Sequence, residues 1–268
     1  MSKIMHAGRS LLELLLLIAV GLVPVVSGLL VMVYQLEMKL AENAAISVQE
    51  AVFSVDQALD RMHETALRTL PFAGKPCDSV KSALQDQVAS HSMLRSLTLV
   101  KDNQAYCSTT SDSLAHLSSF ALSGRRVELS YGASDTRHKL LVNFLLHGTN
   151  NSVIVTAYAL QLRNELDGFQ DGLTLLLEFD DRYIWSKGDS RDAQRPSQSE
   201  FFANALSAKY GYRVKGGYAH GFTAQEIRQS TLQILPSLML VGIVTGSIVY
   251  LGLFRARASG RGSAADRA

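Results

Sequence analysis

The sequence predicts an α+β domain held between two membrane-spanning helices. Two charge-free apolar runs, at 14–33 and 231–254, carry the membrane part of that reading. Between them the apolar period changes from steps of three or four residues to alternation, and this carries the α+β part. Each run is long enough to cross a hydrocarbon core of about 30 Å as a helix. A buried core helix would give a shorter run, broken by polar positions.

Basic residues at the two ends set the expected orientation. Lys3 and Arg9 precede the first run, and Arg255, Arg257, Arg261 and Arg267 follow the second. By the positive-inside rule both tails are cytoplasmic and the intervening segment lies outside the cytoplasm. The expected organisation is a tail at 1–10, a span at 11–34, an exported domain at 35–230, a span at 231–254 and a tail at 255–268. That last tail is rich in Arg, Ala, Ser and Gly, with too few apolar groups to fold. The sequence pI of about 8.5 comes from the tails and gives no reason to expect nucleic acid. A cleaved signal peptide is the main competing reading of the first run. Its apolar core is too long for that role, no small-x-small site follows, and helical register continues without a break.

Two features of the spans bear on function. Glu13 stands at the cytoplasmic edge of the first, within reach of the interface. Gly242 and Gly246, followed by Ser247, form a small-xxx-small pair in the second, which lets two helices approach closely as a dimer face.

The exported segment opens with a long amphipathic helix. Leu36, Leu40, Ala44, Val48, Val52, Val55, Leu59, Met62, Ala66 and Leu70 recur at helical steps, and Pro71 ends it. A short helix at 78–90 follows, with Asp78 as cap and Val80, Leu84 and Val88 on one face. Residues 95–100 and 105–109 read as strands across a turn at 101–104. Further strands are expected at 126–130, 140–146 and 152–157, the last two joined by a hairpin-like connector at 147–151. Helical spacing returns at 159–169. Residues 173–179 and 182–186 read as paired strands across Asp180-Asp181, 200–210 as a helix, and 212–218 as a last strand. This order suggests a sensory module of the PAS/Cache kind with an antiparallel sheet, by analogy of fold.

Both cysteines, Cys77 and Cys107, fall in the exported segment. An oxidising compartment permits a disulfide, and a pair leaves no odd thiol. The alternative is two buried thiols that never meet. A bridge would close a loop of about 31 residues, a gain of roughly 3–4 kcal/mol less any strain.

The context of the cysteines is more specific. Pro76-Cys77-Asp78 and Tyr106-Cys107-Ser108-Thr109-Thr110-Ser111, about thirty residues apart between two spans, resemble the CSS-motif sensory domain. That family is the periplasmic input module of many bacterial cyclic di-GMP phosphodiesterases, in the inner membrane. The resemblance runs from the first span through both cysteines to the second, over residues 10–254. Thr109 stands where the family name implies a second serine. Family members continue into a cytoplasmic EAL phosphodiesterase domain whose carboxylates hold divalent metal. The 255–268 tail, with Asp266 as its one carboxylate, supplies no such domain. The resemblance implies that the disulfide made by a periplasmic thiol oxidase holds a quiet state. Reduction then favours homodimerisation through the second span and activates the output. Carried onto this chain, Cys77 and Cys107 are the switch, flanked by Ser108 and Thr109. Gly242 and Gly246 are the dimer face, and the output is a separate cytoplasmic protein.

No catalytic constellation is legible: there is no GxSxG, no phosphate-cradling Gly-rich loop with Lys and no HExxH. The cysteines lack CxxC spacing, and the seven histidines lack the spacing of a helical metal pair. No metal, cofactor or enzymatic activity is expected. A second reading keeps the architecture but makes it a Cache-type small-solute receptor acting through a partner protein, with Tyr131, Arg137, Tyr158 and Trp185 as pocket candidates. A third, an exported enzyme anchored at both ends, has no nucleophile–base pair behind it.

Overall fold

A computed structural model describes residues 2–110, 114–131, 140–167, 172–192 and 194–265, with side chains described between 15 and 252. The chain divides into two units, residues 1–40 with 221–268, and residues 41–220.

The first unit is built from two helices, α1 (Ser2–Thr69), whose later part belongs to the second unit, and α5 (Phe222–Ala265). Both are long and apolar enough to cross a membrane. In the apolar part of α5 the hydroxyls of Ser237, Thr245 and Ser247 donate to the carbonyls of Ile234, Val241 and Ile243 of the same helix. That local bonding makes a hydroxyl tolerable where no water is present. α5 continues past Phe254 to Ala265 through turns containing Arg and Ala, both good helix formers.

The second unit carries two antiparallel five-stranded sheets, where the sequence led us to expect a single one. After α1 a 3-10 turn at Leu70–Phe72 contains Pro71, the expected stop. There follow α2 (Cys77–Ala89), β1 (Leu94–Lys101), β2 (Gln104–Ser108), α3 (Leu114–Leu122), β3 (Val127–Tyr131), β4 (Leu140–His147) and β5 (Asn151–Tyr158). The five strands pair in the order β2-β1-β5-β4-β3. Then come α4 (Leu160–Asp167), β6 (Leu173–Phe179), β7 (Arg182–Trp185), β8 (Gly188–Asp189), β9 (Glu200–Leu206) and β10 (Arg213–Tyr218), paired as β8-β7-β6-β10-β9.

The first sheet is covered on both faces, which explains its unbroken apolar strands. Successive side chains point to opposite faces. Leu145 therefore joins Val100 and Ile154 against Leu117, Phe120 and Ala121 of α3, while Phe144 meets His63 of α1 edge-on at 5.8 Å. The polar residues inside are paired: Asn143 donates to Ser130 Oγ at 2.9 Å and accepts from Thr156 Oγ1 at 3.0 Å. The β1–β2 turn places Asp102 and Asn103 at φ 50° and 61°, the left-handed pair that a two-residue hairpin requires.

α1 buries Ala44, Val48, Ala51, Val55, Leu59, Met62 and Ala66, close to the predicted stripe. It approaches β10 at Gly216, where a Cβ would stand 2.6 Å from Val48 Cγ2. The absent side chain sets that spacing.

Three local expectations need correction. The segment expected as a helix at 200–210 begins as strand β9, in which exposure alternates from Phe202 to Leu206. Its Ala and Leu favour a helix alone, but pairing with β10 supplies a ladder that overrides propensity. Asp78 is not the α2 cap; Pro76 holds that position, and Asp78 stands in the first turn, where a carboxylate still suits the helix dipole. α3 and β8 were not foreseen. The expected strand at 182–186 ends at Trp185, and β8 pairs with it across a tight turn.

Candidate functional site

Cys77 and Cys107 are joined in a disulfide with a Cα–Cα distance of 5.3 Å. Cys77 is the first residue of α2, and Cys107 lies in β2 opposite Leu99 of β1. The bond therefore fastens the start of a helix to the outer strand of the first sheet. The two ends differ in access: Cys107 is 1% exposed, whereas Cys77 is half-buried beside the exposed Lys75, Pro76 and Asp78.

The surroundings hold the same junction from other directions. The Tyr106 hydroxyl accepts from the Gly74 N–H at 2.8 Å and donates to the Lys75 carbonyl at 3.1 Å. Gly74 has φ +91°, a conformation that a side chain would strain, and a Cβ there would also meet Asn151 Nδ2 at 2.9 Å. Beyond these contacts α2 is held by two buried side chains, Val80 and Leu84, and by Thr69 donating to Gln87 Oε1 at 2.8 Å.

Ser108 and Thr109 are spent on the sheet. Ser108 Oγ accepts from Thr98 Oγ1 at 2.9 Å, and Thr109 Oγ1 accepts from the Leu97 N–H at 3.1 Å. The Thr109 N–H returns a bond to the Leu97 carbonyl at 3.1 Å. The motif hydroxyls thus stitch the end of β2 to β1 and keep Cys107 in place. A threonine does this as well as a serine, because only the hydroxyl is used.

A sequence model of the CSS motif domain associated with EAL matches residues 40–231, more than half of the chain. This chain belongs to the CSS-motif family. A search of curated proteins found no match. Among solved structures, the crystallised extracellular domain of a protein described as a histidine kinase, rpHK1S-Z16, is 15% identical, covers 69% of this chain and 92% of its own, and has a TM-score of 0.36. The CSS-motif domain is a sensory rather than a catalytic domain. Two candidate spans flank it here.

Gly242 and Gly246 of this CSS-motif chain lie on the face of α5 that meets α1 of the same chain. A Cβ on Gly242 would stand 2.5 Å from the Gly21 carbonyl oxygen, and one on Gly246 3.9 Å from that of Leu17. Bare backbone at both positions lets the two helices approach closely. Glu13 and the basic side chains of both tails lie outside the described side chains.

Of the residues considered for a solute pocket, Tyr131 and Tyr158 have separate partners. The Tyr131 hydroxyl is 2.9 Å from Ser190 Oγ, and the guanidiniums of Arg191 and Arg182 lie 4.7 and 5.2 Å from its ring centre. Tyr158 takes a bond from Arg95 at 3.3 Å. Trp185 Nε1 is buried with no partner among the described residues. Arg137 lies outside the described residues. Beside Tyr131, Asp189 is 3% exposed and bonded to Arg191 at 2.8 Å and Arg163 at 2.9 Å. The Arg191 hydrogen bond holds its carboxyl below the usual range against the opposing effect of burial.

Sequence reasoning missed a cleft of about 420 Å³ lined by Asp60 and His63 of α1, Arg126, Phe144 to His147 of β4, and Ala208 to Tyr210 after β9. Asp60 accepts from Lys209 Nζ at 2.9 Å and from the Tyr210 hydroxyl at 2.5 Å. These bonds, Lys209 first, lower its pKa. Burial, then the bond to Asp60, raises that of Tyr210. Among the described residues no group of three or more His, Cys, Asp or Glu side chains is gathered to hold a metal ion.

Proposed function

We propose that this CSS-motif chain is a redox sensor of the bacterial inner membrane, with its domain in the periplasm and both termini cytoplasmic. The Cys77–Cys107 disulfide is the switch. Oxidation by a periplasmic thiol oxidase sets the quiet state, and reduction releases the start of α2 from β2. The output is EAL-type hydrolysis of cyclic di-GMP on the cytoplasmic side of the membrane. The part of the CSS-motif domain in this is regulatory.

The observation that carries this reading is the position of the bond. It joins a helix held by only two buried side chains to the outer strand of a well-filled sheet. Closing a loop of about 31 residues contributes roughly 3–4 kcal/mol, comparable with burying two aliphatic side chains at about 1.5–3 kcal/mol each. Reduction therefore removes a large share of what fixes α2 while leaving the sheet core whole. A local change of this size is what a two-state switch requires. Partly exposed Cys77 gives a reductant an approach that buried Cys107 does not.

Homodimerisation through the second span uses Gly242 and Gly246. Within the chain this face meets Gly21 and Leu17. Packing against α1 and pairing with a second copy therefore compete for one surface, and the competition gives the switch two membrane arrangements.

The test is alkylation trapping of both thiols in intact membranes, with and without the thiol oxidase. Thiols protected only when the oxidase is present give the quiet state its physical basis. Free alkylation of Cys77 and Cys107 in wild-type cells would remove it.

A further inference from the structure

We propose that the cleft between α1, β4 and the turn after β9 binds a small organic carboxylate, with Arg126 as the group that recognises it. The cleft has the volume of a small-molecule site and a built floor, Phe144 being 1% exposed. Its one lining carboxylate, Asp60, is already neutralised by Lys209 Nζ and bonded by the Tyr210 hydroxyl. Arg126 is left as the uncompensated charge. Among the described residues it pairs with no carboxylate, and its one hydrogen bond is a long one, 3.4 Å, to the Lys209 carbonyl.

Two further donors stand around the same space. His147 uses Nδ1 towards Ser152 Oγ at 3.3 Å, which leaves Nε2 for a ligand. His63 packs edge-on against Phe144 and makes no hydrogen bond among the described residues. A guanidinium fork flanked by imidazoles suits a planar carboxylate. The aromatic and aliphatic floor of Phe144 and Leu146 suits the organic body of the ligand rather than a bare inorganic ion. Inorganic phosphate has no apolar body to lay on that floor.

The site has a consequence for signalling that is independent of the cysteines. Its walls come from the long helix, from the first sheet and from the turn joining β9 to β10 of the second. A carboxylate held by Arg126 and the two histidines would tie α1 to the first sheet across that cleft. The CSS-motif domain then has a second input, chemical rather than redox.

The experiment is calorimetric titration of the oxidised full chain in lipid nanodiscs, at constant ionic strength in chloride. Benzoate and succinate serve as carboxylate probes, and inorganic phosphate as the comparison anion. Saturable binding of at least one carboxylate is expected, tighter than phosphate, with Arg126→Gln weakening it at least tenfold. His147→Gln, an exposed change, weakens it about threefold and guards against a folding artefact at Arg126, as do unchanged melting curves of both ligand-free variants. The proposal is overturned if neither carboxylate saturates, if phosphate binds more tightly than both, or if Arg126→Gln binds as well as the wild type. Alkylation of Cys77 and Cys107 is measured separately, so failure here leaves the redox reading standing.

Discussion

The outer strand of the first sheet, β2, is tied to its neighbouring helix by a covalent bond, whereas the outer part of the second sheet is tied to α1 by hydrogen bonds and an ion pair. After β9, Ser207 donates to Asp56 at 2.7 Å, Lys209 reaches Asp60 at 2.9 Å, and the Tyr212 hydroxyl lies 2.7 Å from Asp56 and 2.8 Å from the Val52 carbonyl. The first attachment is broken by two electrons, with two protons taken up as the thiols form, and no change of protonation alone opens it. The second responds to protons and is indifferent to reductant. One domain thus carries two kinds of edge, and a single condition loosens one while sparing the other.

The largest effect is expected at the covalent edge. Reduction, or Cys77→Ser, should lower stability by about 3 kcal/mol. For a domain of this size that is a fall in Tm of about 6–12 °C. Thermal unfolding of the full chain in nanodiscs, with and without reductant, measures it. A reduced wild type that melts with the oxidised one would show that the bond holds nothing, and the contrast between the edges would collapse.

A smaller effect belongs to the polar edge. Tyr212→Phe removes the hydroxyl shared by Asp56 and Val52 and should cost about 1–2 kcal/mol. Because the two edges share no partner, its cost should be the same in oxidised and reduced protein. A double variant with Cys77→Ser that departs from the sum by more than about 0.5 kcal/mol would show the edges to be coupled. Burial, then the hydrogen bond to Asp56, raises the Tyr212 pKa. A raised folded value means stability that is whole below the ordinary tyrosine pKa and is lost as the pH climbs towards the folded one.

The smallest effect is at Asp60. Hydrogen bonds from Lys209 and Tyr210 hold its folded pKa below the ordinary 3.8. Its contribution is therefore present above 3.8 and is lost as the pH falls through the folded value. Asp60→Asn should flatten the acid limb of stability measured from pH 5 to 2, by a modest amount because the group is near solvent. Cys77→Ser should leave that limb's shape unchanged. An acid limb identical in wild type and Asp60→Asn would mean that other carboxylates carry it.

Much of this fold was legible in local sequence. The apolar runs, the helical stripe from Ala44 to Ala66, and the alternating or continuous strands at β1, β4, β5 and β6 announce themselves, because burial imposes a period on neighbouring residues. The cysteine pair was legible through its flanking Tyr106 and Ser108. β9 was not, because Glu200 to Leu206 owes its form to a partner strand rather than to its own preference. α3 leaves only a faint trace, Leu117, Phe120 and Ala121 on one face of a nine-residue helix between clearer strands. The cleft was illegible for a different reason. Asp60, Arg126, His147 and Lys209 come from four distant places, and only the completed fold brings them together.

The order of the first sheet has a consequence for how the domain assembles. Cys77, α2, β1 and β2 are contiguous along the chain, so the bonded half of the sheet needs only local contacts. β1 takes its other neighbour, β5, from far downstream, where Lys101 faces Asn151. Local pairings form faster than distant ones. Oxidation can therefore seal a half-built sheet, and the sealed hairpin becomes a template onto which β5, β4 and β3 must dock. A chain refolded without oxidant lacks that template and must find the long-range pairing with a looser nucleus.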